Sequence, residues 1–189
     1  DFYVTSAYKW QGPHIAALAA DPKLLASLAP RKLASSTPDS PNKYELGTPP
    51  FADLAGVTAA VDHIAGLDSS ASGSRRERII TSMTALAAYQ KALAGHMVDS
   101  LRAMPKVHVF GKLKDKTPTA YFTVAGYEPL HIAQKLAEGG VNAWNGHNYA
   151  WEVTGALGIR DKGSAVRVGL SLYNNEDDVE RLLKIVSAL

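Results

Sequence analysis

The sequence predicts an α/β protein on three observations. Short strand-like runs alternate with amphipathic helical stretches, turn-forming pairs such as Gly139-Gly140 and Asn174-Asn175 separate them, and one long apolar stripe of helical period joins two differently patterned halves. Residues 1–5 are aromatic and β-branched, and 14–20, HIAALAA, form a second apolar run after Gly12-Pro13, so two adjacent strands are expected. A short helix is expected over 21–28, because Asp21 stands at a cap position and Pro22 at the first helical place. From Pro30 to Pro50 five prolines with Ser, Asn and Gly predict a long loop, a class of segment that often carries function.

A helix over 51–67 follows from Leu54, Val57, Val61 and Ile64 at three- and four-residue intervals. The clearest helix is 75–103, where Ile79, Met83, Leu86, Leu93, Met97, Leu101 and Met104 trace one stripe that Pro105 ends. A helix near thirty residues is roughly 45 Å long, which suits a connection between two packing units. The domain boundary is therefore expected near 105, dividing 1–105 from 106–189. Beyond it come strands at 107–110 and 119–124, a helix at 129–140, a strand at 141–144, a strand at 165–172 and a last helix at 176–188. In that helix Val179, Leu182, Leu183 and Val186 share a face, and asparagine suits its cap. No internal repeat or low-complexity tract is evident.

The 189 residues are 46% hydrophobic and 20% charged, enough to bury a real core in one large domain or two small ones. Twenty basic and eighteen acidic residues leave a net charge of +2, scattered along the chain, so no nucleic-acid or anionic-membrane footprint is expected. Cysteine is absent, which excludes disulfides and thiol nucleophiles within this chain and fits a reducing, cytoplasmic setting. No stretch approaches the roughly 20 apolar residues of a membrane span. The histidines lack metal-ligand spacing, so no metal site is expected. The opening segment has no signal-peptide features, and its uncapped strand-like run reads as the middle of something longer.

One segment raises a chemical question. In SAYKWQGPH, Lys9 lies between a tyrosine and a tryptophan just before a turn. Alone, a strand-end lysine usually reaches solvent. Held among aromatics and partly desolvated, it would keep a fraction of free amine able to attack a carbonyl, and a carbonyl cofactor would follow.

DFYVTSAYKWQGPH resembles the cofactor-lysine segment of the class V aminotransferases, the pyridoxal-phosphate enzymes that include cysteine desulfurases, at Ser6, Lys9, Gly12 and Pro13. YELGTPPFADLAGVTAAVDHI is similar to the family's Glu-x-Gly-Thr segment and following helix, NGHNYA to its active-site Gly-His loop, and AVRVGLSLYNNEDDVERLL to its arginine-bearing strand and terminal helix. The resemblance implies the C-terminal part of a fold-type-I enzyme: the end of the large domain, the connecting helix and the small α/β domain. A substantial N-terminal half of the same enzyme, with the pyridine-binding aspartate, would complete it.

The same resemblance implies roles. The ε-amine of Lys9 would condense with the aldehyde of pyridoxal 5′-phosphate and later shuttle the substrate Cα proton. Ser6 would bind the cofactor phosphate, and Tyr8 stands where many members have histidine. Gly47 and Thr48 would reach the phosphate of a neighbouring subunit, implying a homodimer with shared sites. Arg167 would clamp the carboxylate of an amino-acid substrate, with His147 and Asn148 lining the pocket. An arginine side chain on an alternating strand otherwise reads as a solvated charge. Trp144 and Tyr149 occupy the places of the desulfurase arginine and cysteine, which disfavours persulfide chemistry. Transamination, elimination, desulfuration and racemisation all remain open. The rival expectation is a non-catalytic half-enzyme that serves dimerisation or binding.

Overall fold

A computed structural model describes residues 1–111 and 116–189. The chain forms two compact units, Asp1–Thr84 and Ala85–Leu189.

In the first unit, β1 (Phe2–Ser6) pairs antiparallel with β2 (Ala16–Ala20), Phe2 opposite Ala20 and Ser6 opposite Ala16. The sheet has only these two strands, and Phe2, Tyr3, Val4 and Leu18 stay exposed on it. Helix α1 (Pro22–Ser27) starts as its sequence demands: the Asp21 carboxylate accepts from the backbone N–H groups of Lys23 at 2.7 Å and Leu24 at 3.1 Å, and Pro22 occupies the first turn. The proline-rich segment then runs without regular structure except for one 3₁₀ turn at Asn42–Tyr44. Lys43 in that turn is buried, and its ammonium donates to the carbonyls of Ala26 at 2.9 Å and Leu28 at 2.7 Å. A cation on the last carbonyls of a helix answers both their unmet hydrogen bonds and the negative end of the helix dipole. Helix α2 (Phe51–Ala65) follows, and the Ser82 hydroxyl bridges its end by donating to Ala65 O and accepting from Asp68 N.

Helix α3 (Arg75–Ala103) has the predicted bounds, and the division between the units falls inside it. Its apolar stripe explains this position. Leu93, Met97, Val98 and Leu101 are buried in the core of the second unit, whereas Met83 is exposed. The division thus precedes the boundary expected near 105.

The second unit is a four-stranded antiparallel sheet in the order β3-β4-β6-β5: β3 (Val107–Val109), β4 (Thr119–Val124), β6 (Ala165–Gly169) and β5 (Trp144–Gly146). One face carries Ala120, Phe122, Val124, Val166 and Val168, which form a single core with α3, α4 (Pro129–Glu138) and α6 (Glu176–Ser187). The other face carries His108, Phe110, Tyr121, Thr123, Arg167 and Trp144, none of them buried. TAYFTV, with every second residue buried, shows this two-sided pattern most clearly.

Two departures from the sequence expectation lie between α4 and β6. The strand expected over 141–144 begins only at Trp144, because Gly140 N donates to Ala137 O and Val141 N to Leu136 O, so residue 141 still belongs to the helix stop. A six-residue helix α5 (Trp151–Ala156), which the sequence reading did not foresee, ends in the same way: Gly158 N donates to Gly155 O and Ile159 N to Thr154 O. Strand β6 ends at Gly169 rather than at 172. No helix among the described residues is long and apolar enough to cross a membrane.

Candidate active site

The lysine turn is built by the β1–β2 connection. Ala7–Trp10 form a 3₁₀ turn, Gln11 takes a left-handed conformation (φ 73°), and Gly12 N donates back to Ala7 O at 2.8 Å. Ala7 is wholly buried, and its N–H donates to Ile15 O at 2.7 Å. Gly12 is required by space: a Cβ there would lie 2.8 Å from Ala7 Cβ and 2.9 Å from Ala7 O. Pro13 packs against Gly56 of α2, where a Cβ would come within 3.1 Å of the proline ring. The Trp10 indole N–H donates to the Thr5 hydroxyl at 3.1 Å.

This scaffold presents Lys9 and Tyr8 outward. Lys9 is exposed, its ammonium lies 5.6 Å from the Tyr8 ring centre, and it forms no ion pair among the described residues. The sequence reading required partial desolvation among aromatics for a reactive amine; here the amine has the Tyr8 ring near it and Lys9 stays exposed. Tyr8 in turn stacks on His14 with ring centres 4.6 Å apart and planes 11° from parallel. Ser6 is half-buried at the head of the turn and makes no side-chain capping bond to it. Gly47 and Thr48 lie exposed beyond the Lys43 anchor, and a Cβ at Gly47 would meet nothing within 4 Å.

In the second unit, Arg167 stands on the face of the sheet opposite the one packed into the core with α3, α4 and α6. Its cross-strand neighbours are Tyr121 on β4 and Trp144 on β5. It is exposed and forms no ion pair among the described residues. The 146–149 loop continues from β5. Gly146 (φ 106°), Asn148 (φ 50°) and Tyr149 (φ 62°) all take positive φ, a region that costs a side-chain-bearing residue about 1–2 kcal/mol. The turn is held by hydrogen bonds to one carbonyl: Gly146 O accepts from Tyr121 Oη at 2.7 Å and from Asn148 Nδ2 at 2.9 Å. Tyr149 N donates to His147 Nδ1 at 3.1 Å, and the His147 ring meets Trp151 edge-on at 5.4 Å. His147 and Asn148 are half-buried, while Tyr149 is 99% exposed.

The sequence reading passed over Tyr121 and Arg160. The Arg160 guanidinium lies 4.5 Å from the Trp151 ring centre, and its Nε is buried without a hydrogen-bond partner among the described residues. Neither stands in a recognisable motif. For Tyr121 the strand alternation was the available signal, since it marks the same face as Arg167.

Ser6, Tyr8 and Lys9 lie on one turn, Arg167 lies on the strand beside the one that leads into the His147–Asn148 loop, and Gly47 and Thr48 lie on a separate exposed segment. An exposed amine on a turn that also carries a hydroxyl can serve a carbonyl compound that bears an anion, and an exposed guanidinium can serve a carboxylate.

Comparison with known proteins gives the chain a family. The family described as Aminotransferase class-V matches residues 1–182. An uncharacterized protein of Mycobacterium tuberculosis is 34% identical over 192 residues, covering 100% of this chain and 47% of its own. A probable cysteine desulfurase of Pseudomonas putida is 32% identical over 194 residues, covering 96% of this chain and 43% of its own. The crystal structure of the Escherichia coli cysteine desulfurase CsdA superposes with a TM-score of 0.79 at 25% identity, over 100% of this chain and 45% of that one. The chain therefore spans about half the length of the relatives it matches. Its fold is the corresponding part of the fold-type-I arrangement, and the chain belongs to the class-V aminotransferase family.

Proposed function

We propose that this chain is the lysine-bearing part of a pyridoxal 5′-phosphate enzyme acting on an amino acid. The observation that carries the reading is the Lys9 turn, where Gly12 and buried Ala7 hold an exposed amine, without an ion pair among the described residues, three residues after half-buried Ser6. That donor set fits the cofactor: an amine for its aldehyde, a hydroxyl for its phosphate and the Tyr8–His14 stack beside them. When bound, the group supplies an electron sink for charge developing at the substrate Cα.

The remaining steps belong to the chain. Lys9 Nζ would hold the cofactor through its carbonyl carbon and, once released from it, would carry the proton at the substrate Cα. Ser6 donates its hydroxyl to the phosphate. Gly47 and Thr48 serve the phosphate of a second subunit, in a homodimer with shared sites. The planar fork of Arg167 holds the substrate carboxylate with two parallel hydrogen bonds, and His147 and Asn148 line the space beside it. Cysteine desulfuration is disfavoured for this chain, which has no thiol to accept sulfur and presents Tyr149 on the loop. The remaining half of the fold comes from further polypeptide. The exposed Phe2, Tyr3 and Val4 of a two-stranded ribbon support this, because such a ribbon is marginal without further strands.

The test is an absorbance titration with pyridoxal 5′-phosphate of the complete protein and its Lys9→Ala variant. The wild type should turn yellow and bleach with borohydride, while the variant should hold no reducible cofactor. A wild type that stays colourless with its N-terminal half supplied would instead identify a non-catalytic dimerisation or binding module.

A further inference from the structure

On the face of the second unit's sheet opposite its core, Phe110, Tyr121, Arg167 and Trp144 form one row from the end of β3 to β5. Tyr121 and Trp144 are the register partners of Arg167, and Phe110 N donates to Tyr121 O at 2.8 Å. The Phe110 and Tyr121 rings lie 5.8 Å apart, and His108 meets Phe110 edge-on at 4.6 Å. Arg167 is the one cation of a row otherwise made of rings, and Trp144 leaves 64% of its surface to solvent. Tyr121 is held in place by its hydroxyl bond to Gly146 O, so its ring is a preformed wall.

We propose that Tyr121, Arg167 and Trp144 select an amino acid with an aromatic side chain. This deepens, and rests on, the reading of Arg167 as the carboxylate clamp. With the carboxylate on the guanidinium, a ring carried on the next carbon but one extends about one strand spacing sideways. Adjacent strands stand about 4.8 Å apart, which is where Tyr121 and Trp144 are. Ring–ring contacts gain beyond the area they cover. A short side chain would leave both rings in water. An acidic one would set a second carboxylate against ring faces with no second cation in the row.

The experiment is a tryptophan-fluorescence titration of the complete protein with L-phenylalanine, L-alanine, L-glutamate and L-phenylalaninamide. Phenylalanine should bind roughly tenfold or more tightly than each of the others. Arg167→Ala should remove the preference for phenylalanine over its amide, and Trp144→Ala should pull the phenylalanine-to-alanine ratio toward one. Should Arg167→Ala fail to fold by circular dichroism, Arg167→Lys, which keeps the charge but loses the fork, should show the same loss in weaker form. A borohydride-reducible wild type that binds alanine as tightly as phenylalanine would overturn the row and leave the cofactor reading standing. Selectivity without any cofactor uptake would do the reverse, and no detectable phenylalanine binding would overturn the row outright.

Discussion

Tyr121 donates its hydroxyl to the carbonyl oxygen of Gly146 at 2.7 Å, joining the strand beside Arg167 to the loop that carries His147 and Asn148. The same carbonyl accepts from Asn148 Nδ2 at 2.9 Å, so two side chains fix one backbone group. Tyr121→Phe should therefore cost about 1 kcal/mol, the usual net worth of one hydrogen bond. The double variant Tyr121→Phe/Asn148→Ala should cost more than the sum of the singles, because only then does the carbonyl lose both partners. Urea unfolding of the four proteins measures both numbers.

Gly12→Ala should disturb the lysine turn without touching Lys9. The added methyl would meet Ala7 Cβ at 2.8 Å and Ala7 O at 2.9 Å, and a backbone oxygen cannot swing away as a flexible side-chain end can. Overpacking of this kind costs about 1–3 kcal/mol. The expected outcome is a lower melting temperature together with reduced uptake of pyridoxal 5′-phosphate, read by thermal melt and absorbance.

Two phenylalanines should behave oppositely. Phe122 is fully buried at the centre of the second unit's core, whereas Phe51 at the start of α2 is 69% exposed. Phe122→Ala should cost about 3–5 kcal/mol as transfer and cavity effects combine. Phe51→Ala should stay within about 0.5 kcal/mol. Chemical denaturation of both variants checks the contrast.

The cap of α6 should weaken in acid. Asn175 Oδ1 accepts from Asp178 N at 3.1 Å, and Asp178 Oδ2 accepts from Asn175 N at 3.3 Å. Hydrogen bonds from the Asn174 side chain and the Asn175 backbone hold the Asp178 carboxyl below its ordinary value. A depressed folded-state pKa means the ionised form stabilises the fold. That contribution is complete above the unfolded value of about 3.9 and is lost as pH falls through the folded one. Asp178→Asn should remove this part of the acid sensitivity, measurable as a flatter stability–pH curve below about pH 4.

Much of this architecture was legible because local chemistry and global packing agree. Asp21 with Pro22, the asparagine ahead of α6, and the stripe on Arg75–Ala103 each specify an element that the fold then uses. Where the reading failed, the deciding interaction was distant or the segment too short. Nothing around Lys43 announces that carbonyls fifteen and seventeen residues away will bury its ammonium. Helix α5 has six residues, too few for a periodic signal, and the start of β5 depends on hydrogen bonds back to Leu136 and Ala137. Among the candidate site residues, Lys9 and Arg167 stood in quotable motifs. Tyr121 became visible only once the register set it opposite Arg167.

The most direct measurement is peptide mapping of the borohydride-reduced complete protein after loading with pyridoxal 5′-phosphate. The account predicts a single stable adduct on the peptide containing Ser6-Ala7-Tyr8-Lys9, with fragment ions that place the added mass on Lys9. An adduct on another lysine, or none in a folded and loaded protein, would contradict it.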